Sequence, residues 1–251
     1  MLPAKTTPNP TRQAITILNA TPLHETPCER CGTCCRKGGP ALHAEDARLF
    51  FGEEALELSA IVTFRQGEPM FDQVLGRAAP LEGELLKLRG VYGAWTCAFY
   101  DARTRACGLY DRRPAECRAL SCQDTAPLAA MYAKDRLRRA DLLPRGHAIH
   151  AVMSEHESLV PAARIAPLAE LLRAGGQEGL DAEAELSRMA LADKAFRKSL
   201  AERAGISSEY HDFFLGRSAE ALFAAAGLSL RDDARLGCRV QADPLWRPEA
   251  G

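Results

Sequence analysis

The chain has 251 residues, a formal net charge of −1, and hydrophobic and charged fractions of 47% and 26%. This composition allows a buried core, which excludes disorder over the whole length. The near-neutral charge and the aromatic content of 6% exclude a dedicated binder of nucleic acid or of anionic membranes. We therefore expect one large globular domain or two small ones.

The first 27 residues contain five prolines and are expected to form an extended lead-in. This stretch lacks the apolar run of a secretory signal, and nowhere does the sequence reach the ~18 apolar residues of a membrane span. We expect a cytoplasmic protein, in which thiols stay reduced and clustered cysteines bind metal or do chemistry.

Eight of the nine cysteines lie between Cys28 and Cys122, and four of them fall within eight positions, at Cys28, Cys31, Cys34 and Cys35. Successive C-x2-C steps let thiolates converge on one metal, as in zinc and iron–sulfur sites. The side chains of adjacent residues point to opposite faces of a strand, or about 100° apart on a helix. Either Cys34 and Cys35 face two different centres, or one of them is a reactive thiol.

The other four cysteines of the cluster follow at Cys97, Cys107, Cys117 and Cys122. Two short aromatic segments, residues 95–100 and 106–110, flank a polar connection and predict a hairpin with Cys97 and Cys107 on its two arms. Pro114 is suited to the first turn of a short helix that carries Cys117 and runs to Cys122. The composition of residues 44–58 predicts a further helix.

Eight thiolates suit either two four-thiolate sites, of zinc or iron–sulfur type, or one multinuclear cluster with spare ligands. Nearby cations would offset the negative charge of the thiolates and lower their pKa values. These cations are Arg30, Arg36, Lys37, Arg112, Arg113 and Arg118. Ordinary buried thiols do not require so dense a cluster, and disulfides do not persist in a reducing compartment.

These residues also carry a family resemblance. The strings CERCGTCC at 28–35 and CGLYDRRPAECRALSC at 107–122, with Cys97 in an aromatic segment between them, resemble the YkgJ-type CxxCxxCC cysteine-cluster family. That family is described as a zinc- or iron-chelating domain of bacterial proteins. The resemblance implies metal-ligand roles for Cys28, Cys31, Cys34, Cys35, Cys97, Cys107, Cys117 and Cys122. The flagellin lysine methylases are similar in carrying such a cluster, which implies by analogy an enzyme that modifies another polypeptide.

Several other polar residues are weaker candidates. Five histidines are possible imidazole ligands, namely His24, His43, His147, His150 and His156. Three acidic residues, Asp46, Glu53 and Glu54, are expected on a solvated helix face. The ninth cysteine, Cys238, is expected to be structural.

After Pro127 the sequence turns to long stretches rich in Ala, Leu, Glu and Arg, which favour helices. Gly175 and Gly176 predict the end of one helix, and Asp181 is the expected N-cap of the next. That next helix has an apolar face of residues spaced three and four apart, namely Met189, Ala192, Phe196 and Leu200. A last helix is expected over 218–226, ended by Gly227.

The sequence thus predicts an α+β, predominantly helical fold. It would consist of the lead-in 1–27, a cysteine-cluster domain at 28–126 with a short β-hairpin, and a helical domain at 127–251. The expected cofactor is an iron–sulfur cluster or iron, with zinc as the alternative. The function is metal binding, either in an enzyme acting on a protein or peptide partner, in a structural zinc module for protein–protein interaction, or in a metal-trafficking or sensing protein.

Overall fold

A computed structural model describes residues 28, 30–72, 74–91, 95–235 and 237–246, so the predicted lead-in 1–27 lies outside the described residues. The fold is α+β and predominantly helical, as the sequence predicted. In these residues the α-helices are α1 Thr33–Lys37, α2 Ala115–Ala119, α3 Ala126–Met131, α4 Arg139–Leu142, α5 Ile149–Leu159, α6 Ala162–Ala174, α7 Gly176–Ala204, α8 His211–Phe214 and α9 Ala219–Ala225. The strands are β1 Ile61–Phe64, β2 Pro69–Asp72, β3 Arg77–Pro80, β4 Leu85–Leu88, β5 Tyr100–Asp101, β6 Ala106–Cys107, β7 Leu228–Asp233 and β8 Gly237–Ala242.

The strands form antiparallel pairs, which are β1–β4, β2–β3, β5–β6 and β7–β8. The β1–β4 pair is almost fully buried, with Ile61 opposite Leu88 and Phe64 opposite Leu85. The chain that leaves α1 runs beside β4, where the Leu88 amide donates to the Pro40 carbonyl (3.0 Å) and the Leu42 amide to the Leu86 carbonyl (2.9 Å). The first cysteine segment is thereby joined to the central strand pair.

The larger hydrophobic core combines residues from both sides of the predicted domain boundary. Its buried members include Leu42, Ile61 and Leu86 from the cysteine-rich half, together with Phe213 and Leu215 from the helical half. The Thr63 hydroxyl on β1 also donates to the Phe213 carbonyl of α8 (2.7 Å). Residues 28–126 and 127–251 therefore share a core, and their division into two domains stays a prediction.

A second core lies among α6, α7, α9 and the β7–β8 hairpin. As predicted, a helix ends next to Gly175: the last residue of α6 is Ala174, and Gly175 adopts a φ of 74°. The prediction that Asp181 caps the next helix is wrong, because α7 begins five residues earlier, at Gly176, and Asp181 lies within it. Its apolar face starts before the predicted one, since Ala182 and Leu186 are buried in this core. The last helix is confirmed, with the Ser218 side chain accepting from the Ala221 amide and Gly227 following it.

A buried ionic network lies close to both cores. The side chain of His156 on α5 is 0% exposed, and its Nε2 donates to Asp193 Oδ1 on α7 (2.8 Å). Asp193 Oδ2 accepts from Arg197 Nε (2.9 Å) and from the Ala219 amide at the start of α9 (3.0 Å). The other ring nitrogen, His156 Nδ1, faces Arg65 Nη1 at 3.5 Å. This carboxylate therefore joins α5, α7 and α9.

Within the parts of the chain that the structure describes, we find no helix with the length and apolar character needed to cross a membrane.

Candidate metal centre

The first cysteine segment, which carries Cys28, Cys31, Cys34 and Cys35, makes a tight turn into α1. Gly32 begins it with a φ of 76°, and Cys34 and Cys35 lie on the helix that follows. The turn packs against the ring of Tyr100 so closely that a Cβ atom on Gly32 would lie 1.9 Å from the tyrosine hydroxyl oxygen. The amide of Cys97 donates to the carbonyl of Cys35 (2.8 Å). This bond joins the first cysteine segment to the second, which carries Cys97, Cys107, Cys117 and Cys122.

The predicted hairpin is confirmed but is shorter than expected. Cys107 lies on β6, directly opposite Tyr100 on β5, whereas Cys97 lies three residues before β5 and forms an isolated bridge with Gly90. The prediction that Cys97 lies on a hairpin arm is therefore wrong. The ladder ends at Tyr100 because the Tyr100 amide donates back to the Cys97 carbonyl in a turn (3.0 Å).

A short helix forms as predicted, α2, with Pro114 at its N-cap position and Cys117 in its third position. It ends at Ala119, so the prediction that it runs to Cys122 is wrong. Asp46 holds its start in place. The Asp46 side chain is fully buried, with Oδ1 accepting from the Ala115 amide (2.9 Å) and Oδ2 from the His43 amide (2.9 Å). The expectation of a solvated Asp46 is wrong, because the acceptor that α2 needs comes from a residue 69 positions away. No local pattern in the sequence could have shown this contact.

Asp46→Ala should lower the free energy of unfolding by about 3 kcal/mol, because each of two buried amides left without an acceptor costs about 1–3 kcal/mol. Urea denaturation followed by circular dichroism measures the change. Glu53→Ala is the matched control, since Glu53 is an exposed carboxylate of the same segment. Equal midpoints for the two variants would show that Asp46 does not anchor α2.

Cys97 is buried, and Cys35, Cys107 and Cys117 are half-buried. Burial raises the pKa of Cys117 well above its ordinary value, and the neighbouring thiols of Cys97 and Cys107 raise it further. Burial, followed by the thiols of Cys34, Cys107 and Cys97, raises the pKa of Cys35 to about 12. The neighbouring thiolates thus oppose the ionisation of Cys35 and Cys117.

The thiols of Cys28, Cys31 and Cys122 lie nearer to solvent. The charge of Cys31 is the main cause that raises the pKa of Cys122, and Cys34 and Cys28 also contribute. Cys31 behaves oppositely, because hydrogen bonds from the side chain and backbone of Thr33 lower its pKa. Cys28 and Cys122 are exposed, and Cys31 is half-buried.

The donor chemistry of these cysteines fits a thiophilic metal ion. Thiolates are the preferred ligands of zinc and of iron–sulfur clusters, and a cation placed among them would remove the repulsion that raises their pKa values. In the described ranges, no three or more His, Cys, Asp or Glu side chains are already arranged to hold an ion. Ligation therefore requires the thiols to converge from neighbouring positions.

Arginines surround the two cysteine segments. The guanidinium groups of Arg30 (4.0 Å) and Arg113 (4.3 Å) both lie over the ring of Tyr110, so Arg30 connects the first segment to the chain that enters α2. Arg36 donates to the Cys31 carbonyl (3.3 Å), and its charge helps to lower the pKa of that thiol. Arg36 thus acts on Cys31 in the way predicted for the nearby cations, whereas the pKa values of Cys35, Cys97, Cys117 and Cys122 are raised.

The histidine candidates have partners elsewhere, and His24 lies outside the described residues. His43 is buried, with Nδ1 at 2.8 Å from the Lys134 carbonyl, and its pKa is raised chiefly by the Glu116 carboxylate, whose Oε1 lies 3.5 Å from Nε2. His147 Nδ1 accepts from the Ile149 amide (3.2 Å). His150 Nε2 lies 3.0 Å from a backbone carbonyl, and His156 belongs to the buried ionic network.

Residues 27–134 match the family model CxxCxxCC, described as "Putative zinc- or iron-chelating domain". The match confirms the resemblance inferred from the sequence, and the matched segment contains all eight clustered cysteines. Searches of curated proteins and of solved structures found no significant match to the chain. Chelation of zinc or iron is thus the function that the family model describes for this segment.

Proposed function

We propose that this protein is a metal-binding protein that holds iron, an iron–sulfur cluster or zinc through the thiolates of eight cysteines. The ligands are Cys28, Cys31, Cys34, Cys35, Cys97, Cys107, Cys117 and Cys122. The observation that supports the proposal is the gathering of thiols, distant in sequence, on α1, β6, α2 and the adjoining loops, where they oppose one another's ionisation. A bound cation would turn this repulsion into a stabilising interaction.

Iron or an iron–sulfur cluster is the first candidate, because adjacent cysteines and as many as eight thiolates suit an arrangement of several irons. Zinc accepts the same ligands in four-thiolate sites. The reduced thiols expected in the cytoplasm are available to either metal.

Metal trafficking or sensing is the second candidate function. It is favoured over a purely structural zinc module by the exposure of Cys28 and Cys122, since exposed thiolates allow a bound metal to exchange with another carrier. The same exposure would provide access to an open coordination position in an enzyme that modifies a protein or peptide partner. A closed structural site would need no such access.

Metal analysis of the protein purified without oxygen tests the proposal. We expect stoichiometric iron with acid-labile sulfide, or stoichiometric zinc, in the wild-type protein. Cys117→Ser should lose metal and unfold at a lower temperature, because site formation is coupled to folding. Cys238→Ser should keep both properties, since Cys238 lies on β8 against the Ser187 carbonyl, in the second core. Equal metal content in Cys117→Ser, Cys238→Ser and wild type would contradict ligation by Cys117, and absence of metal from the reduced wild type would contradict the proposed function.

A further inference from the structure

We infer that a groove on the surface of the protein binds an acidic segment of a partner polypeptide. The groove consists of two adjoining depressions, with volumes of about 600 and 570 Å³, and Asp141 lines both of them. Its lining residues come from 44–47, 135–141 and 143–150, and none of the eight clustered cysteines is among them. The inference therefore goes beyond metal binding and does not depend on it.

The walls of the groove are held in place by contacts with the rest of the fold. On one wall, the Ala44 amide donates to the Asp135 carbonyl (2.7 Å). The other wall includes α4, which contributes Asp141 and is anchored by the buried Arg139, whose Nε donates to Glu84 Oε2 (2.6 Å). Because these walls are already ordered, binding a ligand there costs this protein little conformational entropy.

The lining of the groove has more cations than anions, in a protein whose net charge is −1. The charged lining residues are Arg136, Arg138, Arg145, Asp135 and Asp141. Asp141 is used within the wall, because its Oδ2 accepts from the Arg138 amide (2.9 Å) and lies 3.5 Å from Arg138 Nε. Among the residues that the structure describes, no carboxylate lies within ion-pair distance of Arg136 or Arg145. One arginine in each depression is therefore available to an anionic ligand.

The apolar surface of the groove comes in part from small side chains. Ala44 and Ala47 line the depression that contains Arg136, and Ala140 lines the one that contains Arg145. Alanine side chains leave room for the backbone of an extended segment, whose successive side chains point to alternate sides. Two carboxylates on one side of such a segment could each reach one arginine, and guanidinium groups bind carboxylates through paired N–H donors. The shape and charge of the groove thus fit an extended acidic peptide.

A nucleic acid fits the groove less well than an acidic polypeptide does. Single-stranded nucleic acids bind largely by stacking their bases on aromatic side chains, and no aromatic residue lines the groove. The exposed carboxylate of Asp135 also repels a phosphate placed opposite it. A polypeptide can place an uncharged residue there, whereas every nucleotide carries a phosphate.

Fluorescence polarisation of a labelled peptide tests the inference on the full-length, reduced protein. The probe is a fluorescein-labelled octapeptide of alternating glutamate and alanine, and the same peptide with glutamine in place of glutamate is the control probe. At about 0.01 M salt, where charges act over about 30 Å, we expect saturable binding of the glutamate peptide. The glutamine peptide should bind at least about tenfold more weakly, and an increase to about 0.1 M salt should weaken binding of the glutamate peptide.

Charge-reversal variants locate the binding site. Arg136→Glu and Arg145→Glu should each weaken binding of the glutamate peptide about fivefold to tenfold, because each replaces an exposed ion pair by a repulsion. Arg188→Glu is the matched control, since Arg188 is exposed on α7 outside the groove and its reversal changes the net charge equally. It should change the affinity by less than about twofold. Circular dichroism shows whether each variant is folded, and if Arg136→Glu is not, the exposed Arg145 alone decides.

Three results would overturn the inference. Equal weakening by Arg145→Glu and Arg188→Glu would show that net charge, and not the groove, attracts the peptide. Equal affinity for the glutamate and glutamine peptides, or no binding of either, would show that the groove does not recognise acidic segments. Tighter binding of a single-stranded oligothymidylate that displaces the peptide would indicate a nucleic-acid site instead. None of these results changes the expected metal content, so the proposed function is tested separately.

Discussion

Gly32→Ala is expected to lower the free energy of unfolding by about 3 kcal/mol and to reduce the metal content of the protein. A residue other than glycine with a φ of 76° carries a cost of about 1–2 kcal/mol. The added methyl group would also lie 1.9 Å from the hydroxyl oxygen of Tyr100 and 2.3 Å from its Cζ atom, and such overpacking costs about 1–3 kcal/mol more. Relief of this contact would displace α1, which carries Cys34 and Cys35.

Gly146→Ala is the matched control for this prediction. Gly146 has a φ of 74°, but no atom lies within 4 Å of the Cβ position. This variant should therefore show only the conformational cost, about 1–2 kcal/mol, and an unchanged metal content. Thermal denaturation and metal analysis of both variants provide the comparison. Equal losses of stability would mean that the packing of Gly32 on Tyr100 does not determine the position of α1.

Asp193→Ala is expected to lower the free energy of unfolding by about 3–5 kcal/mol, the second large effect. The carboxylate accepts from His156 Nε2 (2.8 Å), Arg197 Nε (2.9 Å) and the Ala219 amide (3.0 Å), and its removal leaves these buried donors unpaired. Breaking a buried ionic network from one side costs energies of this size. Asp181→Ala, an exposed carboxylate on the same helix α7, should change the unfolding midpoint little in urea. Similar midpoints for the two variants would count against a structural role of the network.

The same network should make the fold sensitive to acid. Burial, together with the nearby Arg65 and Arg197, lowers the pKa of His156 although Asp193 opposes this, so the folded protein holds a neutral ring. Below pH 6.5, the ordinary pKa of histidine, the unfolded chain binds a proton that the folded chain excludes, so the free energy of unfolding decreases as the pH falls.

Asp193 adds a second contribution at lower pH. Burial raises the pKa of Asp193, but the hydrogen bond with His156 and the charge of Arg197 outweigh it and bring the pKa to about 2. The stability from this carboxylate is therefore present above its ordinary value of 3.8 and is lost as the pH falls towards 2.

Melting temperatures measured between pH 8 and pH 5 test the contribution of the histidine. The wild-type value should fall below about pH 6.5, and the decline should be smaller in His156→Gln, which has no titrating ring. Parallel curves for the two proteins would show that His156 does not contribute to acid sensitivity.

The features that the sequence predicted correctly depend on local patterns. The dense cysteine spacing indicated the chelating segment, Pro114 marked the start of α2, and Gly175 and Gly227 marked helix ends. Each of these signals lies within a few residues of the structure that it specifies. The hairpin turn at 101–105 is of the same kind, although the strands beside it are short.

The features that the sequence did not show depend on contacts between distant residues. The strands β1 and β4 pair across more than 20 residues, and their burial is nearly continuous, so neither has the alternation of a half-exposed strand. In the sequence, Asp46 cannot be distinguished from an acidic residue on an exposed helix face, because its partner Ala115 is distant along the chain. The role of His156 likewise depends on its hydrogen bond to Asp193, which lies on another helix.

The core that α8 shares with β1 has a consequence for truncated versions of this protein and for its use in gene fusions. A fragment ending at residue 134 would keep every clustered cysteine but would lose Phe213 and Leu215, leaving Leu42, Ile61 and Leu86 facing water without them. We therefore expect the isolated chelating segment to be less stable than the same segment in the full chain. A gene fusion that transfers it to another protein is expected to need a substitute for the helical cover.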